Sequence, residues 1–405
     1  MSVTSNDFDE QEQEAIKNFR KYLMIPSVHP NINYDKCVEF LQEQADDIGL
    51  PCDMYTAVQG KPIVIITWLG TRPELPAVML NSHMDVVPVY EDKWTHKPFD
   101  ADMDDEGNIY ARGSQDMKNV GIQYLEAIKR LKGLSVKLKR TIHVTFVPDE
   151  EIGGEDGMGK FVESDYFKKL NIGVAFDESM ASSNDDFITF FGERSTWVFH
   201  IHCTGIVGHA SNLVDNTAAQ KLQFVINKLL NFRESERGKL KTDKNLIISD
   251  VTSINLTQIK GGIQANVIPP EFIATFDCRV PVTVDHNEWA NTIEQWCKEA
   301  GEGVWVEYEL KQPRVPVTLL NHSNPYWGAL KTAAEELGIK LRTIICPGST
   351  DAKYIRRVGL PAFGFSPMNN TPLLLHGHDE YLNVNVFLRG ITIYCKIIET
   401  VGNIE

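Results

Sequence analysis

Residues 144–158 read VTFVPDEEIGGEDGM. Asp149, Glu150 and Glu151 follow an apolar run that begins as RTIHVTF at Arg140, and a Gly153-Gly154 pair comes directly after them. The β-branched run has the length of a buried strand, and the glycines mark a turn. Carboxylates crowded at a strand end raise one another's pKa, at a cost in stability that cations or solvent must relieve. Taken alone, the segment fits a solvated acidic turn and the rim of a cation site equally well.

Upstream, KPIVIITWLG (61–70) and PAVMLNSHMD (76–85) are two more compact apolar runs bounded by Gly and Pro, so His83 and Asp85 fall at a strand's carboxyl end. Helical spacing of Phe8, Ile16, Phe19 and Leu23 predicts an amphipathic helix from about Asp7 to Met24, and Val38, Leu41 and Ala45 predict another over Cys37 to Ile48. Lys118 to Lys132 reads as a helix and NIGVAFDES (171–179) as a strand. Helices interleaved with buried strands define an α/β fold, whose ligand crevices open beyond the carboxyl ends of the strands.

After about Phe191 the pattern changes. STWVFHIHCTG (195–205) alternates like a half-buried strand, TAAQKLQFVINKLLNF (217–232) is helical, and VTSINLTQIKGG (251–262) and EFIATFDCRV (271–280) are further strands. Helix and strand alternation returns with PYWGALKTAAEELG (325–338), LPAFGFS (360–366) and VFLRGITIYCKIIETV (386–401). The expectation is a discontinuous catalytic domain of residues 1–190 and 312–405, interrupted by an α+β domain of residues 191–311. A chain of 405 residues with 42% hydrophobic content suits two domains.

A formal charge of -15 argues against nucleic acid, which is bound by cationic surfaces that displace condensed counterions. No apolar run is long enough to cross a bilayer, so no membrane partner is expected. The first residues are acidic and polar where a secretory leader is basic and then apolar, and seven scattered cysteines form no CxxC pair. Both features predict a cytoplasmic protein with reduced cysteines.

Four more segments carry metal-type side chains. In NSHMDVVP (81–88), His83 and Asp85 are two apart and share one side of a strand, either as a chance surface pair or as an imidazole ligand with its orienting carboxylate. In YARGSQDMKN (110–119), Asp116 precedes a helix, either as its N-cap or as a carboxylate bridging two cations. FDES (176–179) places Glu178 after a buried strand, and LLLHGHDE (373–380) offers His376 or His378. Each is an ordinary loop residue when read singly. Together, with four of the five groups following apolar runs, they favour a cation site.

The ordered set SHMDVVP, ARGSQDMK, VPDEEIGG, FDES, GHAS and LLHGHDE resembles the co-catalytic zinc aminoacylase and carboxypeptidase family over nearly the whole chain. NVIP at Asn266, FDCRV around Arg279, PGSTDAKYIRRVG and GFSPMN extend the likeness. The resemblance implies a zinc-peptidase-like domain with a central mixed sheet flanked by helices, and an inserted dimerisation, or lid, domain. It also implies two zinc ions per subunit. His83 and Glu178 would hold one, Glu151 and His376 the other, with Asp116 bridging them and Asp85 supporting His83. A cis peptide is expected between Asp116 and Met117. The family's HDHDE stands here as HGHDE, with Gly377, and PGST replaces a more alanine-like segment.

The activity so implied is hydrolysis of an N-acyl-L-amino acid to a carboxylate and a free amino acid. Zinc lowers the pKa of bound water from about 15.7 to about 7, and Glu150 would act as the base. His209, in CTGIVGHAS (203–211), would reach across a homodimer and donate to the oxyanion, and Asn266, Arg279 and Arg356 would recognise the substrate. Dipeptidase or carboxypeptidase activity on the same metals, and a non-catalytic dimeric binding protein, are the alternatives.

Overall fold

The computed structural model describes residues 8–405. Residues 1–7, among them Asp7, where the first predicted helix begins, lie outside the described residues. That helix runs Glu10–Leu23, started by a capping box in which Asp9 and Glu12 exchange side-chain and backbone hydrogen bonds.

The larger of two compact units takes in the described residues up to Phe191, then Thr318–Ile344 and Thr350–Glu405. It is built on an eight-stranded sheet, in spatial order Cys52–Val58, Lys61–Trp68, Ile142–Val147, Ala77–His83, Ile172–Asp177, Ala362–Phe365, Asp186–Glu193 and Lys340–Cys346. The strands from Ile142–Val147 to Ala362–Phe365 in that order are parallel to one another, so their carboxyl ends open on one side. Along Lys61–Trp68 the two faces feed different cores: Val64 and Ile66 pack with helices Glu10–Leu23 and Lys118–Gly133, while Ile63 and Ile65 pack with Phe161, Tyr354 and Ile355. Burial on both faces explains why these strands read as unbroken apolar runs.

Register fixes what the open side carries. His83 pairs with Val147, so Pro148 to Glu151 emerge beside the His83 end. Leu80 pairs with Phe176, which brings Asp177 and Glu178 out on the other flank of the same strand.

The second unit comprises Gly192–Val317 and Ile345–Ser349. Its four-stranded antiparallel sheet runs Ser253–Gly261, Glu271–Val280, Ser195–Thr204 and Val304–Lys311 in spatial order. Trp197, Phe199, Ile201 and Cys203 alternate onto the face covered by helices Ala218–Thr242 and His286–Glu299, where they pack with Leu222, Val225, Trp289 and Ile293. Its limits differ from the expected 191–311. Residues 312 and 313 stay with it because the Gln312 carbonyl accepts Trp197 Nε1–H at 2.9 Å and the Pro313 carbonyl accepts the Ser195 hydroxyl at 3.1 Å. The 345–349 segment joins through Pro347, whose carbonyl accepts from the Arg194 guanidinium at 2.7 Å.

Candidate metal centre

His83 closes its strand and is almost fully buried. Its Nδ1 lies 2.9 Å from the Asp85 carbonyl oxygen. A carbonyl only accepts, so Nδ1 carries a proton, and Nε2 faces Asp116 Oδ1 3.1 Å away, an acceptor pair wherever the ring is neutral. Two acceptors facing one another require a proton or a cation between them.

Asp116 is well placed to serve two such ions. It follows a turn at Gly113, whose φ is 90°, and its peptide bond to Met117 is cis. No side chain caps the helix Lys118–Gly133, so Asp116 is not an N-cap. Its Oδ1 faces His83 and its Oδ2 lies 3.2 Å from His376 Nε2. Glu178 Oε2 is 3.7 Å from His83 Nε2, and Glu151 Oε2 is 3.1 Å from His376 Nε2. The ligand atoms of His83, Asp116 and Glu178 lie within 4.8 Å of one another, as do those of Asp116, Glu151 and His376. Of the two candidate histidines in the HGHDE segment, His376 is the one drawn in.

The charge balance fits divalent cations. Burial, and then Asp116, push the carboxyls of Glu178 and Glu151 above the ordinary range. Burial likewise raises Glu150, with Asp351 and Glu151 adding to it. Hydrogen bonds to Asp116 and Glu151 push His376 up to about 10. Burial alone would lower His83, but Glu178 and Asp116 raise it well above the usual imidazole value. Glu151 Oε1 is also buried without a hydrogen-bond partner. Imidazole nitrogens and carboxylates, two triads sharing one aspartate, form a donor set suited to a pair of borderline cations.

Glu150 belongs to neither triad. It sits with Glu151 on a tight turn in which Asp149, Gly153 and Gly154 have φ of 66°, 107° and 69°. Two carboxylates hold this turn. Asp85 Oδ1 accepts the Glu150 N–H at 3.2 Å and Asp85 Oδ2 the Glu151 N–H at 3.0 Å. Asp149 accepts the Tyr34 hydroxyl at 2.8 Å and ion-pairs with Lys61. The expected support of His83 by Asp85 therefore comes from the Asp85 main chain. Its carboxylate is 3.7 Å from His83 Nδ1 because the turn's N–H groups claim it.

Glu380 ties the Asp116 loop to the His376 loop. Its carboxylate accepts the Gln115 N–H at 2.7 Å and the Arg112 guanidinium at 2.6 Å, while Arg112 Nη2 donates to the Gly377 carbonyl at 3.0 Å. The contact made at position 377 is thus main-chain, open to glycine as to any residue. Glu380, Arg112 and Tyr34 escaped the sequence reading, since no spacing distinguishes a buried partner of a loop from a surface charge. The quoted HGHDE and YARGSQDMK segments contained the first two.

Three of the other expected residues, His209, Asn266 and Arg279, belong to the second unit. In the second unit, His209 and Asn266 come together: Gly208–His209 pairs with Val267–Ile268, and the Asn266 carbonyl accepts the Ala210 N–H at 3.0 Å. His209 Nδ1 accepts the Ser211 N–H at 3.2 Å, which leaves the neutral ring's proton on Nε2. Arg279 is engaged by Asp277 through Nε and Nη2, each at 2.9 Å, and by Thr196 through Nη1. Arg356 belongs to the larger unit and is buried, donating through Nη2 to the Ala362 carbonyl at 2.9 Å.

The family model for peptidase family M20/M25/M40 matches residues 79–400, which takes in both triads and the turn between them. The chain belongs to that family. Within M20/M25/M40, it is 46% identical to aminoacylase-1 of Mus musculus, over 99% of this chain and 98% of the mouse protein. In fold it is similar to the M20 family metallo-carboxypeptidase Sso-CP2 from Sulfolobus solfataricus, with a TM-score of 0.74, 17% identity, and coverage of 98% of this chain and 100% of that one. It is also similar to the Bacillus subtilis YXEP protein, a dinuclear metal binding peptidase from the M20 family. There the TM-score is 0.69 at 16% identity, with 96% and 98% coverage. The M20 fold unites the central mixed sheet and the smaller α+β unit described above.

Proposed function

We propose that this M20 family member is a zinc-dependent N-acyl-L-amino-acid amidohydrolase that releases a carboxylate and a free L-amino acid. The observation that carries the reading is the pair of triads sharing Asp116 in a chain aligned end to end with an aminoacylase-1. His83 and Glu178 would hold one zinc, Glu151 and His376 the other, and Asp116 both. When bound, the two ions supply positive charge that acidifies water and offsets the charge developing on the amide oxygen.

The remaining chemistry falls to the protein. Glu150 receives the proton from water on its carboxylate and passes it to the departing amine. Burial holds its carboxyl above the ordinary carboxylate range, which favours taking up that proton. His209 of a second subunit donates from Nε2 to the oxyanion, a contribution of about 3 to 4 kcal/mol when such a donor is preorganised. Asn266 and Arg279 contact the substrate. Of Arg279's five N–H donors three are engaged, leaving two for the free carboxylate. Arg356, held through Nη2 on the Ala362 carbonyl, is the third residue assigned to substrate recognition.

The enzyme works as a homodimer in the cytoplasm, on a small soluble substrate, without nucleic acid or membrane. Among the described residues no helix is long and apolar enough to cross a membrane, and the seven cysteines are unbridged, as a reducing compartment keeps them. The test replaces Glu150 with Gln and measures N-acetylmethionine hydrolysis alongside zinc content. Retained zinc with turnover reduced at least 100-fold is expected; undiminished turnover overturns the assignment. Faster cleavage of unblocked dipeptides by the parent enzyme would move the activity to a dipeptidase.

A further inference from the structure

We propose that His29 is a positioning residue for the Glu150–Glu151 turn, acting through the Asp85 carboxylate. The inference rests on the hydrolytic reading above and adds to it a residue that precedes the His83 segment by more than fifty positions. Asp85 is buried completely, so protein donors alone satisfy its oxygens. Oδ1 takes the Glu150 N–H, and Oδ2 takes the Glu151 N–H together with His29 Nε2, the last at 2.9 Å. Among the described residues, His29 is the only side chain in that set. The other two donors are the main-chain groups of the turn that Asp85 holds.

His29 is itself fixed in place. Its N–H donates to the Val86 carbonyl at 3.2 Å, the Val86 N–H donates to the Ser27 carbonyl at 2.8 Å, and the Ser27 hydroxyl donates to the Met84 carbonyl. The ring therefore approaches Asp85 from a strand-like bridge on either side of it. Without His29, Oδ2 keeps one neutral donor and the carboxylate is free to rotate, loosening its hold on both turn N–H groups. What those groups carry is the proposed base and a proposed ligand. Glu151 Oε2 lies 3.1 Å from His376 Nε2, so a small displacement of the turn is felt at the ligand triad. Partners at one remove from a metal typically change affinity or activity by about 10- to 100-fold.

The experiment compares the zinc-loaded full chain with His29→Ala and His29→Gln. Gln keeps an N–H donor near the position of the imidazole Nε2, and Ala removes it. Three quantities are read: kcat and KM on N-acetylmethionine, and zinc affinity by competition with a chromogenic chelator. For His29→Ala the expected result is a kcat lowered at least tenfold with KM within about twofold, and zinc held at least tenfold more weakly. His29→Gln should recover both to within about threefold of the parent. A parent-like kcat and zinc affinity in His29→Ala overturns the proposal, and so does a Gln variant as impaired as the Ala variant, since both then share only a general loosening of the segment. The zinc competition needs no turnover. A parent enzyme inert toward N-acetylmethionine would therefore sink the proposed reaction while leaving the role of His29 to be decided by zinc affinity.

Discussion

Arg112 and Glu380 meet at 2.6 Å with both side chains buried, and each also grips a different loop of the candidate metal centre. Breaking one member of such a pair leaves a charge without water or partner, which costs about 3 to 5 kcal/mol. Arg112→Met should therefore lower the denaturant midpoint sharply. The double variant Arg112→Met/Glu380→Gln should lose less than the sum of the two single changes, because it leaves neither charge stranded. Chemical unfolding of the zinc-loaded proteins checks this, and strictly additive losses would show that the pair is not coupled.

Gly154 is held at φ 69°, and a Cβ built there would fall inside contact distance of Asp351 Oδ1, a carboxylate with no room to move. Gly154→Ala combines backbone strain with that clash, and the turn it distorts carries Glu150 and Glu151. Strain of this kind costs roughly 1 to 3 kcal/mol before the clash is added. The expected outcome is a lower thermal midpoint together with a lower kcat. Gly153→Ala, at φ 107° with nothing within 4 Å of the new Cβ, should disturb stability less than Gly154→Ala.

Most of the larger unit was legible because its strands are buried on both faces and end in chemistry. The runs ending at His83, Val147 and Asp177 announce both the sheet and the side on which the candidate ligands emerge. What could not be read is register and partnership. Nothing in HxD spacing says that the Asp85 carboxylate will serve the neighbouring turn, while its carbonyl serves His83, until Val147 is known to lie opposite His83. Asp116 was open between capping and bridging for the same reason, and its two oxygens settle against two histidines distant in sequence. The domain limits slipped by a few residues because Gln312 and Pro313 are bound by side chains of the strand Ser195–Thr204, contacts that composition does not reveal.

His143 lies on the strand Ile142–Val147 with Nδ1 2.9 Å from the Thr67 hydroxyl, and burial pushes its pKa down to about 4. The unfolded chain takes up a proton near pH 6.5 that the folded chain refuses until about pH 4. The contribution to stability is therefore complete above pH 6.5 and is lost as pH falls through that window, reaching roughly 3 kcal/mol at its lower end. His143→Gln removes the titration while keeping a polar partner for Thr67. The difference in thermal midpoint between parent and variant should shift steadily in the variant's favour between pH 6.5 and pH 4. A difference independent of pH would mean that His143 titrates alike in both states.

His209 and Glu150 belong to different compact units, and the proposed chemistry requires both. His209→Ala and Glu150→Gln should each abolish most hydrolysis, the first by removing an oxyanion donor and the second by removing the base. If His209 serves the centre of the neighbouring subunit, a heterodimer of the two variants contains one centre with an intact Glu150 that receives an intact His209. Dissociating and reassociating a mixture of the variants should then restore up to about a quarter of parental activity, since half of randomly formed dimers are mixed and each has one complete centre. If His209 serves its own subunit, every centre in the mixture lacks one of the two groups and none recovers. Tagging the variants differently and assaying the doubly purified dimer separates these outcomes, because a proven heterodimer without activity would assign His209 to its own chain.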